Sequence, residues 1–232
     1  MTRRPVRRAF VLALVLPLLG GCIVTSKDPI IRPGEDGRDP ALRGVWVTDK
    51  GREYLHVMRP ELEDGKQATD EAPGFSGLYI VSQGSDADDR DNWARVRMIT
   101  TTVKQRKILS MRFKEGEGGG DLEDMPGWLI FSYEIREGRL YLHMIEEDAV
   151  NAAIAAGDLA GKPGSGSHGD PYVTASAKQW IAWLEKADMD AVFQKDEDSY
   201  LVRLSEDIVR EMSGAGNDAS SPPAEVTDEE PR

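Results

Sequence analysis

From residue 44 to residue 145 apolar and polar side chains alternate in short runs, broken by glycine, proline and acidic turns. A period of two is the signature of a strand with one face buried. The pattern predicts seven strands, at 44–48, 54–59, 77–83, 94–102, 108–114, 128–136 and 139–145. Leu129, Phe131, Tyr133 and Ile135 share one face, as do Leu109, Met111 and Phe113. Ala94, Val96 and Met98 lie opposite Arg95 and Arg97. Glu137-Gly138 is a two-residue hairpin signal. Strands that follow one another through short polar turns imply antiparallel pairing, not βαβ units.

After residue 147 the period changes. Residues 148–156 read as a helix capped by Asp148 and stopped by Gly157. Residues 162–171 read as a glycine-rich loop. Ser176-x-x-Gln179 is a capping box, and Trp180, Ile181, Trp183, Leu184 and Ala187 follow on one broad helical stripe, wide enough to cover a sheet face or one end of a barrel. Residues 200–204 read as a closing strand and 205–212 as a short capped helix. The expected fold class is α+β, mainly antiparallel β. It is a meander or small up-and-down barrel with C-terminal helices packed on it.

The N-terminus has a different logic. Residues 2–8 carry Arg3, Arg4, Arg7 and Arg8 and no acid, and residues 9–19 are apolar throughout. That run is shorter than the roughly 20 residues a bilayer span requires, and small residues follow it. The three parts match a secretory signal occupying residues 1–21. Leu19-Gly20-Gly21-Cys22 resembles the lipobox of bacterial lipoproteins. The resemblance implies cleavage between Gly21 and Cys22, a diacylglyceryl group on the Cys22 thiol and acylation of the new amine. A single acyl chain, at about 0.8 kcal/mol per buried methylene, binds membranes only marginally, whereas several chains hold firmly. Ile23, in place of an inner-membrane retention Asp, points to the outer membrane, facing the periplasm. Arg7-Arg8-Ala9-Phe10-Val11 is similar to a twin-arginine export core, although the leucine-rich run after it favours the general secretory route.

Composition narrows the partners. Loss of residues 1–21 removes four arginines from 29 basic residues, leaving 25 against 41 acids and a formal charge of −16. Such a surface repels phosphate backbones and anionic headgroups, so no nucleic acid is expected and membrane attachment falls to the lipid on Cys22. Cys22 is the only cysteine, which excludes an internal disulfide. Residues 22–40, with Pro29, Pro33, Gly34 and Gly37, read as a lipidated tether reaching roughly 25 Å. Residues 41–212 form the expected single domain, and residues 213–232 an acidic disordered tail.

Leu42-x-Gly44-x-Trp46 after Asp39-Pro40-Ala41 is similar to the Gly-x-Trp start of lipocalins and related calycin barrels. The resemblance implies a barrel shaped as a ligand cup, whose closed end is packed by the tryptophan. It covers about residues 40–205, and the extra helix and glycine loop depart from it.

No catalytic residue, cofactor or metal site is expected. His56, His143 and His168 have no metal-ligand spacing. Asp86-x-Asp88-x-Arg90 puts a cation where a calcium loop needs an oxygen. Gly116-x-Gly118-Gly119-Gly120 opens no helix and is flanked by acids, which disqualifies it as a phosphate cradle. Tyr54-x-His56 and Tyr141-x-His143 each place Tyr and His on one strand face. With Trp46 they either line a barrel interior that takes a ligand or, for the two pairs, sit half-exposed on the outer wall. Trp180 and Trp183 read as core. The expected protein is a non-enzymatic envelope lipoprotein that binds an apolar small ligand or an envelope partner protein. The alternative from another class is a hydrolase of an envelope polymer.

Overall fold

The computed structural model describes residues 23–48, 53–58, 74–81, 92–114, 127–164, 169–195 and 199–205. Among these residues there are eleven strands: β1 (Thr25–Ser26), β2 (Gly44–Thr48), β3 (Glu53–Met58), β4 (Phe75–Val81), β5 (Asn92–Val103), β6 (Arg106–Lys114), β7 (Trp128–Arg136), β8 (Arg139–Met144), β9 (Gly161–Lys162), β10 (Tyr172–Val173) and β11 (Tyr200–Arg203). Three helices, α1 (Glu147–Ala156), α2 (Ala177–Leu184) and α3 (Met189–Val192), lie between β8 and β11.

β2 to β8 form an antiparallel meander, β6 pairs with β7, and β11 inserts between β8 and β2, so the sheet closes on itself as an eight-stranded barrel. Closure leaves these strands without a free edge. Both the α+β class and the lipocalin-like architecture are therefore present. Two of the hairpins turn on left-handed residues, Lys104-Gln105 (φ 49° and 65°) and Glu137-Gly138 (φ 51° and 73°). Such two-residue turns match the twist of antiparallel strands.

The alternation places two apolar sets on opposite sides of the wall. Inside lie Trp46, Leu55, Val57, Phe75, Val96, Met98, Leu109, Met111, Leu129, Phe131, Leu140 and Leu201, gathered into one cluster. Outside, Ile99, Val103, Ile108 and Ile130 form a second face on β5, β6 and β7, which joins the helices in another cluster. The stripe on α2 thus covers a sheet face and does not plug a barrel end. Trp180 is fully buried there, its Nε1 donating to Ser26 Oγ at 3.0 Å, and its ring meets Trp183 edge-on at 5.7 Å.

Helix boundaries follow their caps. The Ser176–Gln179 capping box forms as expected. α1 starts one residue early, with Glu146 as N-cap and Asp148 within the first turn, where its charge favours the positive end of the helix. Gly157, at φ 79°, ends it by donating to Ala153 O and Ile154 O.

The largest departure from expectation is the segment assigned as a tether. Residues 23–43 are part of the folded body. β1 pairs with β7 and with β10, Val24 and Ile30 are buried, and Ile30 N donates to Ser110 Oγ at 2.9 Å. The chain then follows the barrel: Gly74 N donates to Asp36 O and Thr100 N to Gly37 O, both at 2.8 Å. Its apolar residues are too few and too widely spaced to show a period, and they are ordered by surfaces distant in sequence. The loop expected at 162–171 likewise begins in β9 and is followed by β10, and the two strands pair with each other. Residues 1–22, the Asp86 and Gly116 motifs, His168, the helix expected through residue 212 and the tail 213–232 lie outside the described residues.

Candidate functional site

A barrel of this kind offers an interior and a wall, and the sequence left both open. One end of the interior is closed by the chain that enters it. Asp39 caps the 3-10 turn Pro40–Leu42, its Oδ1 accepting from Ala41 N at 3.0 Å. Trp46 is 0% exposed and its Nε1 donates to Leu42 O at 2.7 Å. The Arg203 guanidinium lies 4.5 Å from the Trp46 ring centroid and donates to Ala41 O. Cation, ring and turn together form a lid over that end.

Beside the lid, Asp39 Oδ2 accepts from Lys107 Nζ at 2.6 Å and from Tyr133 OH at 2.8 Å. Burial would raise the Asp39 carboxyl, but the hydrogen bonds from Lys107, Ala41 N–H and Tyr133, with the Lys107 charge, outweigh it and hold the group below its usual range. Burial, then the bond to Asp39 and its charge, push the Tyr133 phenol far above its ordinary value. A carboxyl whose folded pKa is depressed stabilises the fold above its unfolded pKa of about 3.9. That contribution disappears as pH falls through the folded value. Asp39→Asn is therefore expected to lose about 1–2 kcal/mol at pH 7. Urea titrations at pH 7 and at successively lower pH should show variant and parent converging in acid; a gap independent of pH would refute the ionic account.

The inner face also carries a buried acid and its partner. Glu53 is buried on the inner face of β3 and accepts from Tyr79 OH at 3.2 Å. Glu53 was not singled out in the sequence because it stands next to a turn, where an acid is expected on the surface.

Of the expected lining residues, only Trp46 points inward. In β3 the buried positions are Glu53, Leu55 and Val57, so Tyr54 and His56 fall on the outer wall. In β8 the inner face carries Leu140, Leu142 and Met144, which leaves Tyr141 and His143 outside. The two pairs do not meet, because β2 and β11 separate β3 from β8. The interior lining expected of these four residues is corrected on this point. Both faces of β3 and β8 are covered to some degree, so a polar residue gives no sign of which face it takes.

The outer wall is uneven. β5, β6 and β7 are covered by helices, but on β2, β3 and β4 the outward residues Val45, Val47, Tyr54, Met58, Leu78 and Ile80 belong to neither core cluster. The pairing sets Val47 beside Tyr54 and Tyr54 beside Ile80, and it sets Val45 beside His56 and His56 beside Leu78. Val202 on β11 extends the patch beside Val47 and is 36% exposed. Burial lowers the His56 pKa, which keeps this central residue uncharged at neutral pH.

Cations border the patch. Arg95 stands beside Leu78 and Arg97 beside Ser76. On the opposite border Arg136 stacks 4.1 Å from the Tyr141 ring and Arg139 4.5 Å from the Tyr200 ring. Among the described residues no group of three His, Cys, Asp or Glu is placed to hold a metal, and no helix is long and apolar enough to cross a membrane. Comparison of the chain with protein-family models, with curated proteins and with solved structures finds no match in any of the three.

Proposed function

We propose that this chain is a lipid-anchored bacterial envelope protein that docks a partner protein on the outer wall of β11, β2, β3 and β4. The carrying observation is an apolar wall on β11, β2, β3 and β4 that belongs to neither core cluster, outside an inner face whose apolar side chains form one buried cluster. Among the described residues the strip is half-buried and reaches the surface at Val202, and a contiguous apolar strip that reaches the surface marks an interaction site. The arginines on both borders select a partner that is apolar at its centre and acidic at its rim, in the way charge complementarity sets specificity at an interface rim. The protein serves in this reading as a non-enzymatic adaptor.

The anchor is the lipobox cysteine Cys22, with the outer membrane as its location and the periplasm as the compartment faced. Its geometry agrees with the docking reading. Cys22 is bonded to Ile23, whose N–H donates to Asp170 Oδ1 at 3.0 Å, next to β1 on the β7 side. In the ring of eight, β7 is four strands from β3. The apolar wall therefore faces away from the side where the lipid enters.

Site-specific photo-crosslinking in intact cells tests the proposal. A crosslinker at Leu78 or Val47 is expected to trap one envelope protein, identified by mass, and a crosslinker at Ala182 on the exposed side of α2 is expected to trap none. Leu78→Asp should abolish the adduct from Val47. Identical adducts from Ala182, or none from the wall, would overturn docking, and a small molecule retained in native mass spectra would transfer the function to the interior. Cys22→Ser should shift the protein from the membrane to the soluble fraction, and unchanged fractionation would remove the anchor.

A further inference from the structure

On the outer face of β6, β7 and β8, beyond the helices, lies a groove of about 530 Å³. Its rim carries Lys104 and Arg106 from the β5–β6 hairpin, Arg136 from the end of β7, and Lys195 from the segment after α3. Two carboxylates stand among these four cations. Asp190 accepts from Arg106 at 2.5 Å and from Lys195 at 3.1 Å, and Glu134 lies 3.6 Å from Arg136 and 3.7 Å from His143 Nε2. The balance is positive, in a chain whose formal charge is −12. A net excess of one sign along a recess concentrates ions of the other sign.

The groove floor supplies an independent sign of a ligand. Ser132 is 1% exposed, and its Oγ has no hydrogen-bond partner among the described residues. Buried hydroxyls are almost always satisfied, so an orphan in a lined recess calls for a missing acceptor. Ser132 pairs in register with His143 across β7 and β8, and Glu134 follows two residues on, which superficially suggests a nucleophile, base and acid. The hydroxyl is not hydrogen bonded to the imidazole, and the strand amides around it are engaged in the sheet, so a coupled nucleophile and an oxyanion hole are both lacking.

We infer that this groove binds a phosphate group, whether free or on a small ester or lipid headgroup, with Ser132 donating at the floor and Arg106, Arg136 and Lys195 closing on the anion from the rim. Arginine forks and a lysine point charge suit three anionic oxygens. Asp190 holds Arg106 and Lys195 side by side before the ligand arrives.

The test uses the full chain carrying Cys22→Ser, so that its outcome does not depend on lipidation or on the docking wall. Calorimetric titration with inorganic phosphate at low salt should show saturable binding. Arg136→Gln combined with Lys195→Gln should weaken it by about tenfold or more, consistent with the loss of two charge-assisted contacts. Ser132→Ala, which removes an unsatisfied group and should fold normally, is expected to weaken it about threefold or more. Lys186→Gln on the helical side should leave it unchanged. Flotation with phosphatidylglycerol vesicles but not with phosphatidylcholine, lost in the same variants, would assign the phosphate to a headgroup. Phosphate binding without flotation would assign a free ligand. Absence of both, or affinity indifferent to Ser132→Ala and to the double variant, would overturn the inference.

Discussion

Trp46→Ala is expected to lower stability by about 3–5 kcal/mol, the range for truncating a fully buried large aromatic residue. The indole fills the closed end of the barrel, so its loss opens a cavity among Leu42, Leu55 and Leu201 that the closed sheet cannot collapse to fill. The Leu42 carbonyl loses its donor and Arg203 loses the ring it covers. Trp46→Phe separates these effects: it keeps most of the volume and should cost about 1–2 kcal/mol for the hydrogen bond and partial void. Urea denaturation of the three proteins at pH 7 measures the series. A Trp46→Ala midpoint equal to that of the parent would mean that the lid bears no part of the fold, and the lipocalin-like closure would then be a matter of shape only.

Ile30→Ala has the second large expected effect, about 2–5 kcal/mol, against less than about 0.5 kcal/mol for Lys27→Ala on the exposed stretch before it. A residue in a flexible spacer has no folded environment to lose. Ile30 is 0% exposed and sits in the cluster shared by the sheet and the helices. Its amide is held by Ser110, and four residues earlier Ser26 holds Trp180. A strap that joins β6 to α2 in this way should unfold with the domain, as one cooperative transition. If Ile30→Ala and Lys27→Ala melt alike, residues 23–31 are not integral to the fold, and the stand-off of roughly 25 Å expected of a flexible tether is restored. If the large effect is found, a lipid on Cys22 would hold the barrel directly against the bilayer. Movement of the domain would then come from the acyl chains and not from the polypeptide.

The strands from Gly44 to Met144 were legible because each buries one face, and burying one face imposes a period of two that survives in a single chain. Leu129, Phe131 and Tyr133 could be assigned to one face of their strand, and Leu109 and Met111 to one face of theirs, before any partner was known. The Ser176 capping box and the Gly157 stop were legible for a similar reason: they are local bargains between a side chain and the nearest backbone groups. The Trp46 position was legible through its motif, but its partners were not. Arg203 is 157 positions away, and nothing in either neighbourhood points to the other.

What remained hidden depends on contacts between distant segments. β1, β9 and β10 have two residues each, too short to carry a period, and they exist because β7 continues beyond the end of β8 and offers an edge. The inward turn of Glu53 and the outward turn of Tyr54 and His56 were undecidable, because a strand covered on both sides gives no polarity contrast. The apolar wall outside both core clusters and the basic groove follow from which strands the helices pack against. By itself the sequence determined the barrel class, the helical cap, the acidity and the residues that would carry an anchor, all of which depend on local pattern or on composition. Only the tertiary structure decided that residues 23–43 are built in, that Trp46 and Glu53 face inward, and that Tyr54, His56, Tyr141 and His143 face outward. Those outcomes depend on which surfaces meet, and burial of a surface is a property of the pair that buries it.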